Sequence, residues 1–342
     1  MALSKIRNDS LADTAVHGRR NLIINGAARV QQRGSSITAS GQHGKVDRFI
    51  LQTGGGTTTF DAGTVSSSDA PYDLGFRSTL KITNTTAGSN AATDYAGMSY
   101  RIEAQDVVHS GWDFTSSSSY ITLSFWAKSS LAGDYQVGFR SSDGTVQANA
   151  HEFTLVADTW KKITFTVSGD TAITVNDDTG IGLNLFFWAY LGTNYTTSSF
   201  TFDAWTAHSG SDQGGDFPQN WKSTASATFE VTGIQLEVGD KATPFDHPRS
   251  YGEELALCQR YYVEGGIIFQ TGTPNRYMTN IALPVEMRVK PTISNGGVDS
   301  GSGGGVVPQI SRDGANTSRI NFYQGSNHSA ISSAWIKFDA EL

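Results

Sequence analysis

The sequence predicts an all-β protein, in which an antiparallel β-sandwich of the jelly-roll class is followed by a short helix and a smaller C-terminal β domain. Segments in which apolar and polar side chains alternate with a period of two recur along the chain, as is typical of half-buried antiparallel strands around one core. Glycine, serine and threonine are abundant, whereas prolines and helix-forming stretches are few. Short strands joined by turns are therefore expected.

Four segments are predicted, at residues 1–20, 21–248, 249–262 and 263–342. The first segment is polar and has no apolar central region, so we expect no signal peptide and interpret it as an arm that becomes ordered against a partner or stays loose. Within the sandwich segment, Asn21–Val30 is predicted to be a first strand interrupted at Asn25-Gly26. Thr53–Ala70, rich in glycine, threonine and serine, is predicted to be a surface excursion.

From Ser78 onward the alternation is regular and predicts a series of strands. The core-facing positions of these strands are Leu80, Ile82, Met98, Tyr100, Ile102, Ile121, Leu123, Phe125, Tyr135, Val137, Phe139, Ile163, Phe165 and Val167. Between these positions lie polar side chains, which are expected on the outer faces of the two sheets.

One strand departs from the rule that outward side chains are polar. In GLNLFFWAYLG, the leucines and Phe187 occupy the core parity, and the opposite parity carries an amide and three aromatic rings. An aromatic row is costly to expose unless something covers it. Outward side chains of two further strands are predicted to join this row. The candidate carbohydrate-binding residues are therefore Trp126, Lys128, Gln136, Arg140, Asn184, Trp188 and Tyr190.

Two interpretations of the aromatic row remain open. Protein can cover it, supplied by the Thr53–Ala70 excursion, by the second domain or by a neighbouring subunit. Alternatively, flat rings beside amide, guanidinium and ammonium donors suit a pyranose, whose C–H face stacks on an aromatic ring while its hydroxyls take hydrogen bonds.

The stretch Phe229–Tyr262 changes from strand to loop to helix within one run. The apolar parity of the strand slips at Thr232-Gly233, which predicts a β-bulge. Ser250 precedes Glu253 by three residues, which predicts a capping box that opens a short helix. This stretch is thus expected to close the sandwich and to carry the chain out of it.

The remaining residues are predicted to form the second β domain. Its strand candidates are Gly266–Thr271, Asn280–Val289, Ile320–Tyr323 and Ala334–Ala340. Asn295–Val306 is dominated by glycine and serine and is predicted to be a mobile loop.

Several functional classes are disfavoured. The net charge is −7 and no Lys/Arg cluster is present, so nucleic-acid binding is not expected. No apolar run approaches the ~20 residues that span a bilayer, so membrane insertion is not expected either. Cys258, the single cysteine, is predicted to be a buried core thiol rather than a nucleophile. CxxC, HExxH, P-loop and GxSxG motifs are absent, and we predict no catalytic residues, no metal site and no cofactor.

Two polar features have a functional and a structural interpretation. Asp203, Glu230 and Glu237 would serve as a glycosidase pair if two carboxyl groups lay roughly 5–10 Å apart. Solvated acids on the polar face of a strand are the favoured interpretation. Likewise, the Asn-Asp-Asp turn at residues 176–178 offers oxygen ligands for calcium, but ordinary turn use of these residue types is favoured.

The sequence resembles a family of tail-fibre and other virion-surface proteins of tailed bacteriophages and prophages. The landmarks of the resemblance are Asn21–Gly26, Gln32-Arg33-Gly34, Asp47-Arg48-Phe49, Val231–Phe245, Arg249–Tyr262 and the terminal Asp339-Ala340-Glu341-Leu342. They bracket most of the chain from Asn21 onward. The chain departs from the commoner pattern at Ala27-Ala28 and Gln31, where an aromatic residue often follows.

The resemblance implies a jelly-roll domain similar to carbohydrate-binding modules, on a homotrimeric appendage of a virion that is made in the host cytoplasm. It implies that the arm at residues 1–20 docks on other virion proteins. Three functions follow as hypotheses. The first is a non-catalytic receptor-binding protein for host surface polysaccharide, the second is a purely structural head fibre, decoration or baseplate adaptor protein, and the third is a polysaccharide depolymerase. We rank them in that order and expect no enzymatic activity.

Overall fold

The computed structural model describes residues 20–248, 250–270, 278–300, 319–323 and 331–342. The predicted arm, apart from Arg20, lies outside the described residues. Contacts divide the chain into two units, of which the first takes residues up to Arg29 together with Ser35–Pro248. The second takes Val30–Gly34 together with the residues from Arg249 to Leu342. The helix at residues 251–259 therefore belongs to the second unit.

The first unit contains eleven strands and two short helices among its described residues. In chain order they are β1 (Phe49–Gly54), β2 (Thr57–Thr64), α1 (Ala70–Asp73), β3 (Ser78–Thr86), β4 (Tyr95–Glu103), α2 (Ala104–Val108), β5 (Tyr120–Ser129), β6 (Gly133–Ser141), β7 (Gln147–Leu155), β8 (Lys161–Ser168), β9 (Ile181–Leu191), β10 (Thr206–Ala207) and β11 (Thr228–Val238).

The strands form two antiparallel sheets, which confirms the predicted all-β sandwich. One sheet has six strands in the order β1-β4-β9-β6-β7-β10, and the other has five in the order β2-β3-β11-β5-β8. Aromatic rings from both sheets meet in the core: Phe125 of β5 lies 5.1 Å from Phe187 of β9, and Tyr135 of β6 stacks 5.2 Å from Phe229 of β11. The predicted core-facing positions are buried as expected.

The predicted bulge in β11 is confirmed by a register shift between Thr232 and Gln235 against β5. On its other side, β11 pairs with β3 only as far as Val231. Beyond Val231, the Asn21–Gly26 landmark, with the sequence NLIING, bonds to β11 in place of β3. Asn21 donates from Nδ2 to the carbonyl of Ile234 at 2.9 Å, and the Ile234 amide donates to the carbonyl of Gly26 at 2.9 Å. The backbone groups that the bulge leaves without a strand partner are thereby satisfied.

Two expectations for the first unit are wrong. Asn21–Val30 contains no strand, because its polar groups are committed to β11 through turns rather than through a ladder. Thr53–Ala70 is not a surface excursion: it contains the end of β1, all of β2 and the start of α1. In β2, an edge strand, only Thr58 and Phe60 are buried, which is why its composition resembles that of a loop.

A long connection at residues 192–227 joins β9 to β11 and includes β10. It is anchored at its end by Asn84, whose fully buried amide donates to the carbonyls of Lys222 and Thr224 at 2.7 and 2.9 Å. Lys222 is also fully buried and donates to the hydroxyl of Thr58 at 2.7 Å. Burial lowers the pKa of Lys222 to about 8, against the opposing effect of Asp94.

Replacing Asn84 with alanine is expected to lower the free energy of unfolding of the first unit by roughly 2–3 kcal/mol. The substitution leaves buried carbonyls at the end of the long connection without this donor. Urea denaturation checks the result. Thr86→Ala is the matched control, because Thr86 is exposed at the end of the same strand. Equal midpoints for the two variants would show that Asn84 does not anchor the connection.

The predicted helix, α3 (Tyr251–Gln259), is the first helix or strand of the second unit. The side chain of Ser250 accepts a hydrogen bond from the amide of Glu253 at 3.1 Å, so the predicted N-cap is confirmed. Cys258 is fully buried, as predicted for a core thiol. The strands that follow are β12 (Tyr262–Gln270), β13 (Met278–Ala282), β14 (Thr292–Ser300), β15 (Arg319–Tyr323) and β16 (Ile331–Asp339).

These strands form two small antiparallel sheets, in the orders β12-β16-β14 and β13-β15. Val263, Met287, Ile336 and Phe338 form the described core. The expectation of a loop at Asn295–Val306 is wrong as far as Ser300, because β14 continues to that residue along β16. Backbone pairing, which is independent of side-chain type, holds this glycine-rich segment; residues 301–306 lie outside the described part.

The QRG landmark belongs to this unit. Arg33 stacks over the ring of Tyr262 at 3.7 Å and donates to Glu341 at 3.1 Å, while Gln32 donates to the carbonyl of Tyr262 at 2.8 Å. Three landmarks that are distant in sequence therefore meet in one cluster. Among the described residues, no helix is long and apolar enough to cross a membrane.

Candidate functional site

The seven predicted site residues lie on two different sheets. Trp126 and Lys128 are on β5 of the five-stranded sheet, whereas the other five are on β6 and β9 of the six-stranded sheet. The prediction that they form one row is wrong for Trp126 and Lys128. Strand parity tells inward from outward, but it does not tell which sheet a strand enters, and the chain crosses between the sheets after β5.

The Lys128 side chain makes its contacts on the side of the five-stranded sheet. Its Nζ lies 3.6 Å from a carboxylate oxygen of Glu230 and 4.8 Å from the ring centre of Trp160. Trp126 is half-buried and packs against a cluster that contains Phe76. Neither side chain contributes to the face of the six-stranded sheet.

The structure brings the other five residues together. Strand β9 lies between β4 and β6, and the register places Gln136 opposite Trp188 and Arg140 opposite Asn184. Tyr190 follows on the same face of β9. Parity alone predicts these positions, because the outward residues of adjacent strands are neighbours on one face.

The long connection covers part of this face. Gln136 is 1% exposed and donates to the carbonyl of Gly215 at 2.8 Å, and Tyr190 is 6% exposed with its ring 6.1 Å from Phe217. Trp188 is 7% exposed. The covering segment is therefore the chain's own connection between β9 and β11, which was not among the covers expected from the sequence.

An aromatic strip remains half-exposed beside the covered part. We define it as Arg140, Phe186, Trp188, Tyr95 and Tyr195. The Arg140 guanidinium lies 4.6 Å from the centre of the Phe186 ring, which stacks on Trp188 at 5.4 Å with 7° between the planes. Tyr95 meets Trp188 edge-on at 6.4 Å and Tyr195 at 5.5 Å. Trp188 is the only buried member of the strip.

Phe186 is the accessible ring next to the covered Trp188. Its cross-strand neighbours are Ser99 on β4 and Gly138 on β6, both of which are small. Phe186 has the outward parity that the sequence predicts, but it is not among the predicted site residues, because it has no polar group that would mark it as a ligand-binding residue.

Hydrogen-bonding groups flank the strip. Gln52 on β1 donates to the hydroxyl of Ser99 at 2.9 Å, and Asn184 donates to the hydroxyl of Ser142 at 2.8 Å. Arg101 lies opposite Asn184 on β4. A half-exposed ring bordered by amides, hydroxyls and guanidinium groups matches the chemistry of a sugar ring, which has apolar faces and a polar edge.

Burial affects the two basic groups at the end of the strip. It lowers the pKa of Arg140 to about 10, and Arg140 donates to Gln213 of the long connection at 2.9 Å while its buried Nε has no hydrogen-bond partner among the described residues. His208, also on the long connection, has its pKa lowered to about 4, chiefly by burial and secondarily by the charge of Arg140. His208 is therefore neutral at pH 7.

Acidification is expected to destabilise the long connection through His208. Because the folded-state pKa of about 4 lies below the ordinary value of 6.5, the unfolded state takes up the proton first. Stability is thus complete above about pH 6.5 and falls as the pH drops toward 4. Urea midpoints at pH 7 and pH 5 check this, with His208→Gln as the variant that cannot titrate. An equal loss in both proteins would contradict the assignment to His208.

The acidic side chains noted in the sequence are engaged within the fold. Glu230 accepts from Thr79 at 2.9 Å and lies near two lysines, and Glu237 accepts from the hydroxyl of Thr243 at 2.7 Å. Asp203 lies 2.8 Å from His151. In the turn at residues 176–178, Asn176 donates to Asp143 at 2.9 Å. In the part of the chain that the structure describes, no three His, Cys, Asp or Glu side chains are grouped so that they could hold a metal ion.

Comparisons with known proteins identify no family. No protein-family model matches the sequence, and no curated protein matches it. Solved structures similar to the chain include the enzymatically active domain of tailspike protein 4 from bacteriophage CBA120, with 13% identity, a TM-score of 0.36, and coverage of 64% of this chain and 21% of that one. The chain thus spans about a fifth of the length of that tailspike domain.

Two further similar structures match nearly whole proteins. A family 11 carbohydrate-binding module from Clostridium thermocellum has 15% identity and a TM-score of 0.30, over 59% of this chain and 95% of the module. An apo-form cyclase from Fischerella sp. has 9% identity and a TM-score of 0.36, over 66% of this chain and 98% of the cyclase. Matches at this level assign no function.

Proposed function

We propose that this chain is a receptor-binding protein of a bacteriophage virion, of the tail-fibre kind, which binds host surface glycans without cleaving them. The observation that carries the proposal is the aromatic strip on the outer face of the six-stranded sheet. Its accessible ring, Phe186, lies between a stacked guanidinium and a buried tryptophan, so its orientation is fixed before any ligand arrives. Preorganised aromatic surface lowers the entropic cost of binding.

Binding without cleavage is supported by the state of the acidic side chains. A glycosidase needs two carboxyl groups that face one sugar. Glu230 and Glu237 are on β11 of the five-stranded sheet and are held by hydrogen bonds there, so they lie on the other sheet from the strip. Asp203, on the long connection, is paired with His151 of β7.

The assignment to a virion rests on the landmark residues. Two of them, Asn21–Gly26 and Val231–Phe245, meet at the bulge of β11, and the Gln32-Arg33-Gly34 and terminal landmarks meet in the second unit. Landmarks that are distant in sequence thus contact one another within each unit, as expected of a scaffold that related appendage proteins share. A homotrimer would add avidity, which makes weak individual sugar contacts useful.

Binding of the purified chain to bacterial capsular polysaccharides and lipopolysaccharides tests the proposal, with assay of released reducing ends in the same samples. We expect retention of the chain on at least one polysaccharide and no rise in reducing ends. A rise would instead support a depolymerase. Failure to bind any surface polysaccharide of a strain that the virion infects would leave a purely structural virion protein as the better description.

A native mass measurement tests the oligomeric part separately. The proposal predicts three times the chain mass of 36.7 kDa. A monomer at micromolar concentration would contradict the homotrimer without affecting the glycan-binding part, because the strip is formed within one chain.

A further inference from the structure

A cleft of about 450 Å³ lies on the outer face of the five-stranded sheet, away from the aromatic strip. This volume is in the range of small-molecule sites. Its floor is Ser124 and Trp126 of β5, and Lys162 of β8 lies at one side. The opposite walls are the segment after α1, from Leu74 to Phe76, and the segment Ala242–His247.

The cleft is built by the bulge and the turn that follows it. Gly233, at the bulge, has φ +63°, and a Cβ there would lie 2.6 Å from the Phe76 ring, so only glycine lets that ring pack at this point. The Ala242–His247 wall is fixed to the sheet: the Thr243 amide donates to Glu237 at 2.8 Å, and the Asp246 amide donates to the side chain of Gln235 at 2.6 Å.

Three aromatic rings line the two walls, Phe76 on one and Phe245 and His247 on the other. Phe76 meets Phe245 edge-on at 4.9 Å, and the His247 ring lies 5.1 Å from Phe76 and 4.7 Å from Phe245. His247 is held by its Nε2, 2.8 Å from the carbonyl of Leu74. With the half-buried Trp126 on the floor, the cleft offers aromatic surface on two sides.

Hydrogen-bond donors face the cleft without protein partners. Ser124 is 4% exposed, yet within the described residues its hydroxyl makes no hydrogen bond. Neither the Lys162 ammonium nor the Trp126 indole N–H is paired with any described group. The neighbouring lysines of this face, Lys81 and Lys128, lie instead within 4 Å of Glu230. No acidic side chain lines the cleft, and Lys162, which is exposed, forms no ion pair with a described residue.

We propose that this cleft binds an acidic sugar, a pyranose that bears a carboxylate. The C–H face of the ring stacks on Trp126, the carboxylate pairs with Lys162, and a hydroxyl accepts or donates at Ser124. Aromatic walls explain why the ligand has an apolar face, and the unpaired ammonium explains why it is an anion. This site shares no residue with the aromatic strip, so it stands or falls separately from the proposed function.

The test is a titration of the full chain with D-glucuronate, D-glucose and inorganic phosphate, in which binding is measured by ligand-observed NMR. We expect glucuronate to bind up to about fivefold more tightly than glucose, since Lys162 is exposed and an exposed ion pair contributes roughly 0.2–1 kcal/mol. Lys162→Gln is expected to remove that preference. Lys161→Gln is the matched control: Lys161 is the adjacent exposed lysine and donates to the carbonyl of Thr154.

Three results would overturn the proposal: equal binding of glucose and glucuronate, an unchanged affinity in Lys162→Gln, or displacement of glucuronate by equimolar phosphate, which would indicate a simple anion site. Phe186→Ala separates the two proposals. It is expected to leave glucuronate binding at the cleft intact, so a loss there would place the sugar on the strip instead.

Discussion

Gly26→Ala is expected to lower the free energy of unfolding of the first unit by roughly 3 kcal/mol. A Cβ at residue 26 would lie 2.0 Å from the carbonyl oxygen of Ile234 and 3.1 Å from its carbonyl carbon. Both are backbone atoms of a central strand and cannot move aside. The variant must separate the Asn21–Gly26 segment from β11, which exposes the unpaired groups of the bulge.

Chemical denaturation of the full chain measures this loss, and Gly210→Ala provides the control. A Cβ at Gly210 meets nothing within 4 Å, and Gly210 does not have a left-handed φ. We expect the control to change the midpoint little or to raise it slightly, because alanine reduces the freedom of the unfolded chain. Similar midpoints for the two variants would show that the NLIING segment does not seal the bulge.

Gly26 also shows what the sequence could and could not predict. The bulge at Thr232-Gly233 was predictable, because a slip of apolar parity next to a glycine is a local signal. That Asn21–Gly26 supplies the missing hydrogen bonds was not predictable, since the two segments are more than two hundred residues apart. The segment was predicted to be a strand because its apolar composition suits either a strand or a buried turn.

For the candidate site as well, the local pattern was predictable and the long-range contacts were not. The outward row of β9 followed from parity, and so did its neighbours Gln136 and Arg140. The misplacement of Trp126 and Lys128 followed from strand order, which depends on long-range pairing and carries no local signal. The cover over Gln136 and Tyr190 was missed for a similar reason, because nothing in the composition of residues 192–227 shows where that connection packs.

Phe186→Ala is expected to weaken glycan binding at least about thirtyfold while the protein stays folded. The ring is half-exposed, so its removal should cost only about 1–2 kcal/mol of stability from lost burial. The same removal takes away the accessible aromatic surface and the support of the Arg140 guanidinium, which lies 4.6 Å above the ring. Truncation of an aromatic anchor at a binding site typically costs at least about 2 kcal/mol, or some thirtyfold in affinity.

Trp188→Ala does not provide the same test, because Trp188 is 7% exposed and its ring packs between Phe186 and Tyr95. Removing it should cost roughly 3–5 kcal/mol through a cavity in the covered face. Loss of binding in that variant would then reflect loss of the fold. Phe186 is the position at which binding and stability separate.

The decisive measurement is a calorimetric titration with a host polysaccharide that retains the wild-type chain. The polysaccharide is titrated into the wild-type chain, the Phe186→Ala variant and the Tyr120→Ala variant. Tyr120 is a 38% exposed aromatic residue on the five-stranded sheet and serves as the control for a lost surface ring. If the strip is the glycan-binding surface, Phe186→Ala loses at least about thirtyfold in affinity and Tyr120→Ala binds like the wild type. Unchanged binding by a folded Phe186→Ala variant would contradict it.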